Sequence, residues 1–209
     1  MTPIETVRPE EIEKRSFAII EEELAQGGIR LDADNAPVIM RCIHASADFD
    51  YAKTLVFSPD AVHVMKALIL EGADIVTDTN MALAGINKKK LAAFGGESHC
   101  FMADPEVAAE ASARGVTRAA VSMERAARLP KKVIFAVGNA PTALIRLHEL
   151  MEEGRYTPAF VIGVPVGFVN VVQAKELFID SAIPGIINRG RKGGSSIAAA
   201  IVNAVLYSI

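Results

Sequence analysis

The chain has little cysteine: Cys42 and Cys100 form no CxxC pair and have no histidine at metal-ligand spacing. That argues against a disulfide scaffold and a zinc site, and points to a reduced, cytoplasmic setting. No Ser/Pro/Gly-rich linker divides the 209 residues, so one domain over 1–209 is expected. Apolar runs are cut by Gly, Asn or charge before they reach membrane-spanning length. The N-terminal stretch 1–11 lacks the basic and apolar regions of a secretory leader, and no membrane association is expected. A net charge of −3 gives no general nucleic-acid surface. Phosphate fingerprints are missing too: neither GxGxxG nor GxxxxGK[ST] occurs. No GxSxG elbow supports hydrolase chemistry.

What the chain does have is apolar material, at 51%, and a rhythm in its second half. A strand-like run collapses three times into a Gly-containing turn and a helix start. The first is Val133–Val137 followed by Gly138-Asn139-Ala-Pro141. The second is Ala159–Ile162 followed by Gly163-Val-Pro165-Val-Gly167-Phe168. The third is Gly185–Asn188 followed by Arg189-Gly-Arg191-Lys192-Gly193-Gly194-Ser195. With Asp74–Thr77 and His99–Met102 as further short strands, the alternation predicts an α/β fold. It is a parallel-sheet sandwich with helices on both faces and an N-terminal helical segment. Ligands of such sheets sit beyond the carboxyl ends of the strands, where glycine lets backbone approach closely. Gly138, Asn139, Gly167, Arg191 and Gly193 are therefore candidate binding residues. Helices are expected at 9–25, from a cap at Asp32 or Asp34 to about Ser46, and at 61–71, 105–114, 117–128, 141–153, 168–181 and 195–207. The last is apolar nearly all round, which suits a core or a subunit contact.

Charge is unevenly spread. Residues 1–25 hold seven acids against three bases, whereas 181–209 hold Arg189, Arg191 and Lys192 with no acid. A solvated helix face accounts for the acidic start; the basic cluster, inside a Gly-rich turn, suits an anionic ligand. The sharpest polar constellation is Arg41, His44 and Asp48, which would share one face of a continuous helix. A carboxylate there could orient the imidazole for proton transfer; a surface pair without function fits the spacing equally. His63, His99 and His148 read as structural or solvent-facing. Thr77-Asp-Thr79-Asn-Met81 lies at the expected rim, as ligand donors or as a helix cap.

These segments together resemble the precorrin-8X methylmutase family, including its cobalt-precorrin-8 members. The matching pieces are Glu13-Lys-Arg-Ser16-Phe17, Arg41-Cys-Ile-His44-Ala, Phe57-Ser-Pro-Asp60, Gly138-Asn-Ala-Pro-Thr142, Gly163-Val-Pro-Val-Gly-Phe168 and Arg189-Gly-Arg-Lys-Gly-Gly-Ser195. Six such pieces in one order span almost the whole chain. The resemblance implies an isomerase that moves a methyl group from C11 to C12 of a corrinoid macrocycle, giving hydrogenobyrinate or its cobalt-containing equivalent. It implies no external cofactor and no metal ligand set. It places the family's histidine on His44, and substrate contacts on Ser16, Arg41, Thr79 and Arg118. Ala119 stands where the family's Thr-Arg-Ser has a hydroxyl. The macrocycle's carboxylate arms would account for Arg41, Arg118, Arg189 and Arg191 in an acidic protein. The resemblance also points to a homodimer with its pocket near the subunit boundary. Two other readings are a non-catalytic corrinoid carrier and, on generic Gly turns alone, a nucleotide or phosphosugar isomerase.

Overall fold

The structure, a computed structural model, describes residues 4–209; the first three residues, part of the stretch read above for a leader, lie outside it. A short 3-10 turn, Pro9–Glu11, leads into α1 (Ile12–Gln26), followed by α2 (Ala36–Ser46) and α3 (Tyr51–Thr54). Next come β1 (Leu55–Phe57), α4 (Ala61–Leu70), β2 (Asp74–Thr77), α5 (Asn80–Gly85), α6 (Lys88–Ala92) and β3 (Ser98–His99). The chain continues through α7 (Pro105–Arg114), α8 (Arg118–Ala126), β4 (Val133–Val137) and α9 (Pro141–Glu152). It ends with β5 (Phe160–Gly163), α10 (Val171–Ile179), β6 (Gly185–Asn188) and α11 (Ser195–Tyr207).

The strands form one sheet in the order β1-β6-β5-β4-β2-β3. Five are parallel, in registers such as Ile134 opposite Phe160 and Ile162 opposite Ile186. The exception corrects the expected all-parallel sheet: β1 pairs antiparallel with β6, Leu55 opposite Asn188. The antiparallel pair is closed at both ends, where the Arg189 N–H donates to the Thr54 carbonyl at 2.8 Å and the Ser58 N–H to the Gly185 carbonyl at 3.0 Å. At the opposite edge β3 has two residues, not the four read from His99–Met102.

Strand periodicity sends alternate residues to opposite faces. Ile134, Ala136, Ile162 and Ile186 meet α4, α11 and the helices outside them; Val133, Phe135, Val137, Val161 and Ile187 meet α8, α9 and α10. Phe135 and Phe160 are fully buried, one on each face, and each contributes about 1.5–3 kcal/mol of transfer free energy. The apolar character of α11 has its explanation inside the subunit. Ile197–Val202 and Ala204–Leu206 are buried between the sheet and α2, so this helix does not offer the subunit contact considered above.

Helix boundaries follow local chemistry. The hydroxyl of Thr79 accepts the Ala82 N–H at 3.1 Å, that of Thr117 the Ala120 N–H at 3.2 Å, and the Asp104 carboxylate the Glu106 N–H at 2.9 Å. These are N-caps that satisfy otherwise orphaned donors. For α2 the capping position is Asn35; Asp32 instead accepts the N–H groups of Asp34 and Asn35, both at 3.1 Å, in the preceding turn. The helix expected from 168 begins only at Val171, leaving Phe168 and Val169 in an exposed loop.

Candidate functional site

The carboxyl ends of the parallel strands form a rim of four turns. After β2 comes Asp78-Thr79, after β4 Gly138-Asn139-Ala140, after β5 Val164–Asn170, and after β6 Arg189–Gly194. These turns are laced to one another. Asp78 has no solvent exposure, and its carboxylate accepts the N–H groups of Gly138 and Asn139 at 2.8 Å and of Ala140 at 2.6 Å. Burial pushes its pKa up, against the pull of those backbone donors. Thr79 meets the Ser195 hydroxyl at 2.7 Å. Gly138 packs so closely that an added Cβ would sit 2.7 Å from the Ser195 Cα, which is why glycine stands there.

The basic turn is the most constrained part. Gly193 has φ +156°, and an added Cβ would lie 2.0 Å from the Val164 carbonyl oxygen. That carbonyl accepts the Gly194 N–H at 2.9 Å, and the Gly167 N–H donates to the Arg191 carbonyl at 3.2 Å. Two of the turn's three cations are neutralised internally. Arg189 grips Glu176 at 3.1 Å, and Lys192 meets Asp48 at 2.7 Å and Asp50 at 2.6 Å. The carboxylates raise the Lys192 pKa, and Lys192 in turn lowers that of Asp48. Among the described residues Arg191 has no carboxylate partner; its guanidinium lies 5.4 Å from the ring centroid of exposed Phe168. Arg118, at the start of α8, donates to the Met102 carbonyl at 3.4 Å and has no carboxylate partner among the described residues. It belongs to the same rim, because Thr117 beside it bonds Thr142 in the first turn of α9 at 2.9 Å. Ala119 is buried and faces the core with Met123 and Ala126.

Ser16, Arg41 and His44 form a second group, on α1 and α2. His44 is exposed, and its ring stacks on Phe17 with centroids 5.2 Å apart and planes 27° from parallel. Among the described residues the exposed His44 ring has Phe17 as its stacking partner and forms no ion pair or hydrogen bond to a protein side chain. The Arg41 guanidinium sits 4.7 Å from the Phe17 ring and 5.5 Å from that of Tyr207, and bonds Glu13 at 2.7 Å. It lines a surface cavity of about 420 Å³ with Phe17, Met40 and Tyr207. The Ser16 hydroxyl is turned back to the Ile12 carbonyl at 2.9 Å.

The expected Arg41–His44–Asp48 face does not form. Helix α2 stops at Ser46 because Ala47 takes a left-handed conformation, φ 56°, and the turn swings Asp48 onto Lys192. That redirection instead joins the two groups: Asp48 and Asp50 tie the end of α2 to the basic turn, with His44 in the last turn of α2. Arg41 stays apart, beside the C-terminal end of α11, whereas Arg191 precedes its N-terminal end. A 13-residue helix separates those ends by about 18 Å.

Sequence reasoning missed three supporting residues: Asp78, Asp50 and the buried Lys175. Only Asp78, directly after a strand at the rim, carried a positional signal. Among the described residues no three His, Cys, Asp or Glu side chains gather as a metal site, and no helix is long and apolar enough to cross a membrane.

A family profile described as precorrin-8X methylmutase matches residues 11–208. The chain is 43% identical to the cobalt-precorrin-8 methylmutase of Salmonella typhimurium, over 97% of this chain and 96% of that one. It is 41% identical to the protein of that name from Priestia megaterium, over 96% and 88%. With the precorrin-8X methylmutase of Pseudomonas aeruginosa it shares 37%, over 93% of each. A solved precorrin-8X methylmutase from Thermus thermophilus superposes with a TM-score of 0.84 at 38% identity, covering 94% of this chain and 96% of that one. With the rim, the basic turn and the His44 face all inside the matched span, the chain belongs to the precorrin-8X methylmutase family.

Proposed function

We propose that this chain moves the C11 methyl of precorrin-8X or cobalt-precorrin-8 to C12, with His44 exchanging the proton that drives the rearrangement. A methyl shift within one molecule needs no nucleophile and no water. Protonating the macrocycle draws electron density from the migrating system and favours the rearranged conjugation, and one placed imidazole contributes about 10²–10⁴-fold to such a step. The observation that carries the assignment is the His44 ring itself, exposed, stacked on Phe17 and without a hydrogen-bond partner among the described residues.

Arg118 and Arg191, rim guanidiniums without a carboxylate partner among the described residues, suit the substrate's acetate and propionate arms. Thr79, Gly138, Asn139, Gly167 and Gly193 shape the turns against which the macrocycle rests. Ser16 and Arg41 border the histidine. The active unit in this reading is a homodimer in the cytoplasm. Its support is the exposure of His44, and of Val166, Phe168 and Val169 in the rim loop, which a second copy would shield from water.

The test is His44→Ala with the coloured macrocycle followed by visible absorption. The variant is expected to bind the substrate and leave it unconverted, with turnover down at least 100-fold. Normal turnover by the variant refutes the assignment; binding without conversion by the native chain would favour a carrier.

A further inference from the structure

Lys175 in α10 has no exposed side chain, and among the described residues no carboxylate lies against it. Its Nζ donates to the carbonyls of Gly190 at 2.7 Å and Lys192 at 2.8 Å. The Lys192 carbonyl also accepts the Asn188 side-chain amide at 2.8 Å. An unpaired buried cation is costly, and burial pulls this amine down to a pKa of about 8. The other buried residues of helix α10 are apolar, Val171, Ala174 and Phe178, so packing alone does not call for a cation at this position. What the amine holds is the turn that carries Arg191.

The direction of the hold matters. No peptide bond among the described residues is cis, and in a trans peptide the N–H points opposite to the C=O. With the Gly190 and Lys192 carbonyls drawn to the amine, the N–H groups of Arg191 and Gly193 point away from it. Neither meets a protein acceptor among the described residues. We propose that Lys175 is the positioning residue of the basic turn. By drawing two carbonyls inward, it aims the Arg191 and Gly193 N–H groups and the Arg191 guanidinium at one carboxylate arm of the ligand. The proposal rests on the reading above that the ligand is a polycarboxylate macrocycle.

The charged neighbours are accounted for. Glu176 on α10 is held by Arg189. His148 of α9 lies edge-on to Phe178. The Lys192 side chain is turned to Asp48 and Asp50. Strands β5 and β6 contain no ionisable residue. Deprotonation of Lys175 therefore loosens the turn directly, because a neutral amine binds carbonyls more weakly than an ammonium.

The experiment is steady-state kinetics on the tetrapyrrole substrate between pH 7 and 9, for the native chain, Lys175→Met and Lys175→Arg. The native KM is expected to rise several-fold across that range. For Lys175→Arg, which stays charged, the KM should remain level. Lys175→Met should show a KM at least ten-fold higher at pH 7, with a much smaller fall in kcat. A native KM that is flat with pH, or a folded Lys175→Met with a KM within two-fold of native, overturns the proposal. If Lys175→Met does not fold, the native and Lys175→Arg profiles decide. Absence of turnover by the native chain would overturn the substrate reading itself, and this proposal with it.

Discussion

Replacing Asp78 probes the hub of the rim. In Asp78→Ala three N–H groups lose their acceptor at once, but they do not cost the same. The Gly138 amide is buried and finds no water, so it carries the full penalty for an unsatisfied donor, about 1–3 kcal/mol. Ala140 is half-buried and pays part of that; Asn139 is exposed and recovers its bond from solvent. The sum is about 2–4 kcal/mol. Asp78→Asn keeps one acceptor oxygen, which serves the buried Gly138 N–H, and removes the buried charge, but its NH2 faces the Asn139 and Ala140 N–H groups, so the cost falls only to about 1–2 kcal/mol. Urea unfolding of the three proteins, followed by circular dichroism, measures both differences. An Ala variant within 0.5 kcal/mol of native would refute the hub, as would an Asn variant that loses as much as Ala.

Gly193→Ala should destabilise by about 2–5 kcal/mol, since the new Cβ meets backbone at 2.0 Å and must displace the Gly194–Val164 bond. Gly190→Ala, at φ +81° with open space around it, should cost only about 1–2 kcal/mol; equal melting points for the two variants would contradict the packing argument. Glu124 is clamped by Arg114 at 2.6 and 2.8 Å and by Arg146 at 2.7 Å, which hold its carboxyl down near 2. A depressed carboxyl stabilises above its ordinary value of 4.5 and loses that stabilisation as pH falls toward 2. About 3 kcal/mol should therefore vanish over that interval, and acid titration of Glu124→Gln should lack the step.

The strand-turn-helix alternation was legible because each unit repeats a local pattern: a buried apolar run, a glycine, a cap. Strands β2, β4, β5 and β6 follow it, and α11 was recognisable from its apolar circumference. Leu55–Phe57 was not, since three residues carry no period and their pairing with β6 spans more than a hundred residues of chain. The short helices α5 and α6 hid for a similar reason; each is barely a turn and a half long. Within the site, Arg41 and His44 do lie three apart on one helix. The third partner, Asp48, was misassigned, because nothing in His44-Ala-Ser-Ala-Asp48 announces that Ala47 will adopt φ 56° and turn the carboxylate toward Lys192. Lys175 was silent, since a lysine in an amphipathic helix ordinarily faces water.

The anionic ligand proposed for a chain of net charge −3 rests on which cations remain after internal pairing. Of the basic turn, Arg189 is committed to Glu176 and Lys192 to Asp48 and Asp50. Those pairs are partly exposed and add little stability individually, but they fix the backbone on either side of Arg191. Among the described residues Arg191 and Arg118 have no carboxylate partner, and a third cation, Lys175, is buried against the Gly190 and Lys192 carbonyls on either side of Arg191. Net charge and site charge are thus separate quantities here. In the proposed reading it is the pairing pattern, and not the composition, that suits an acidic protein to a polycarboxylate.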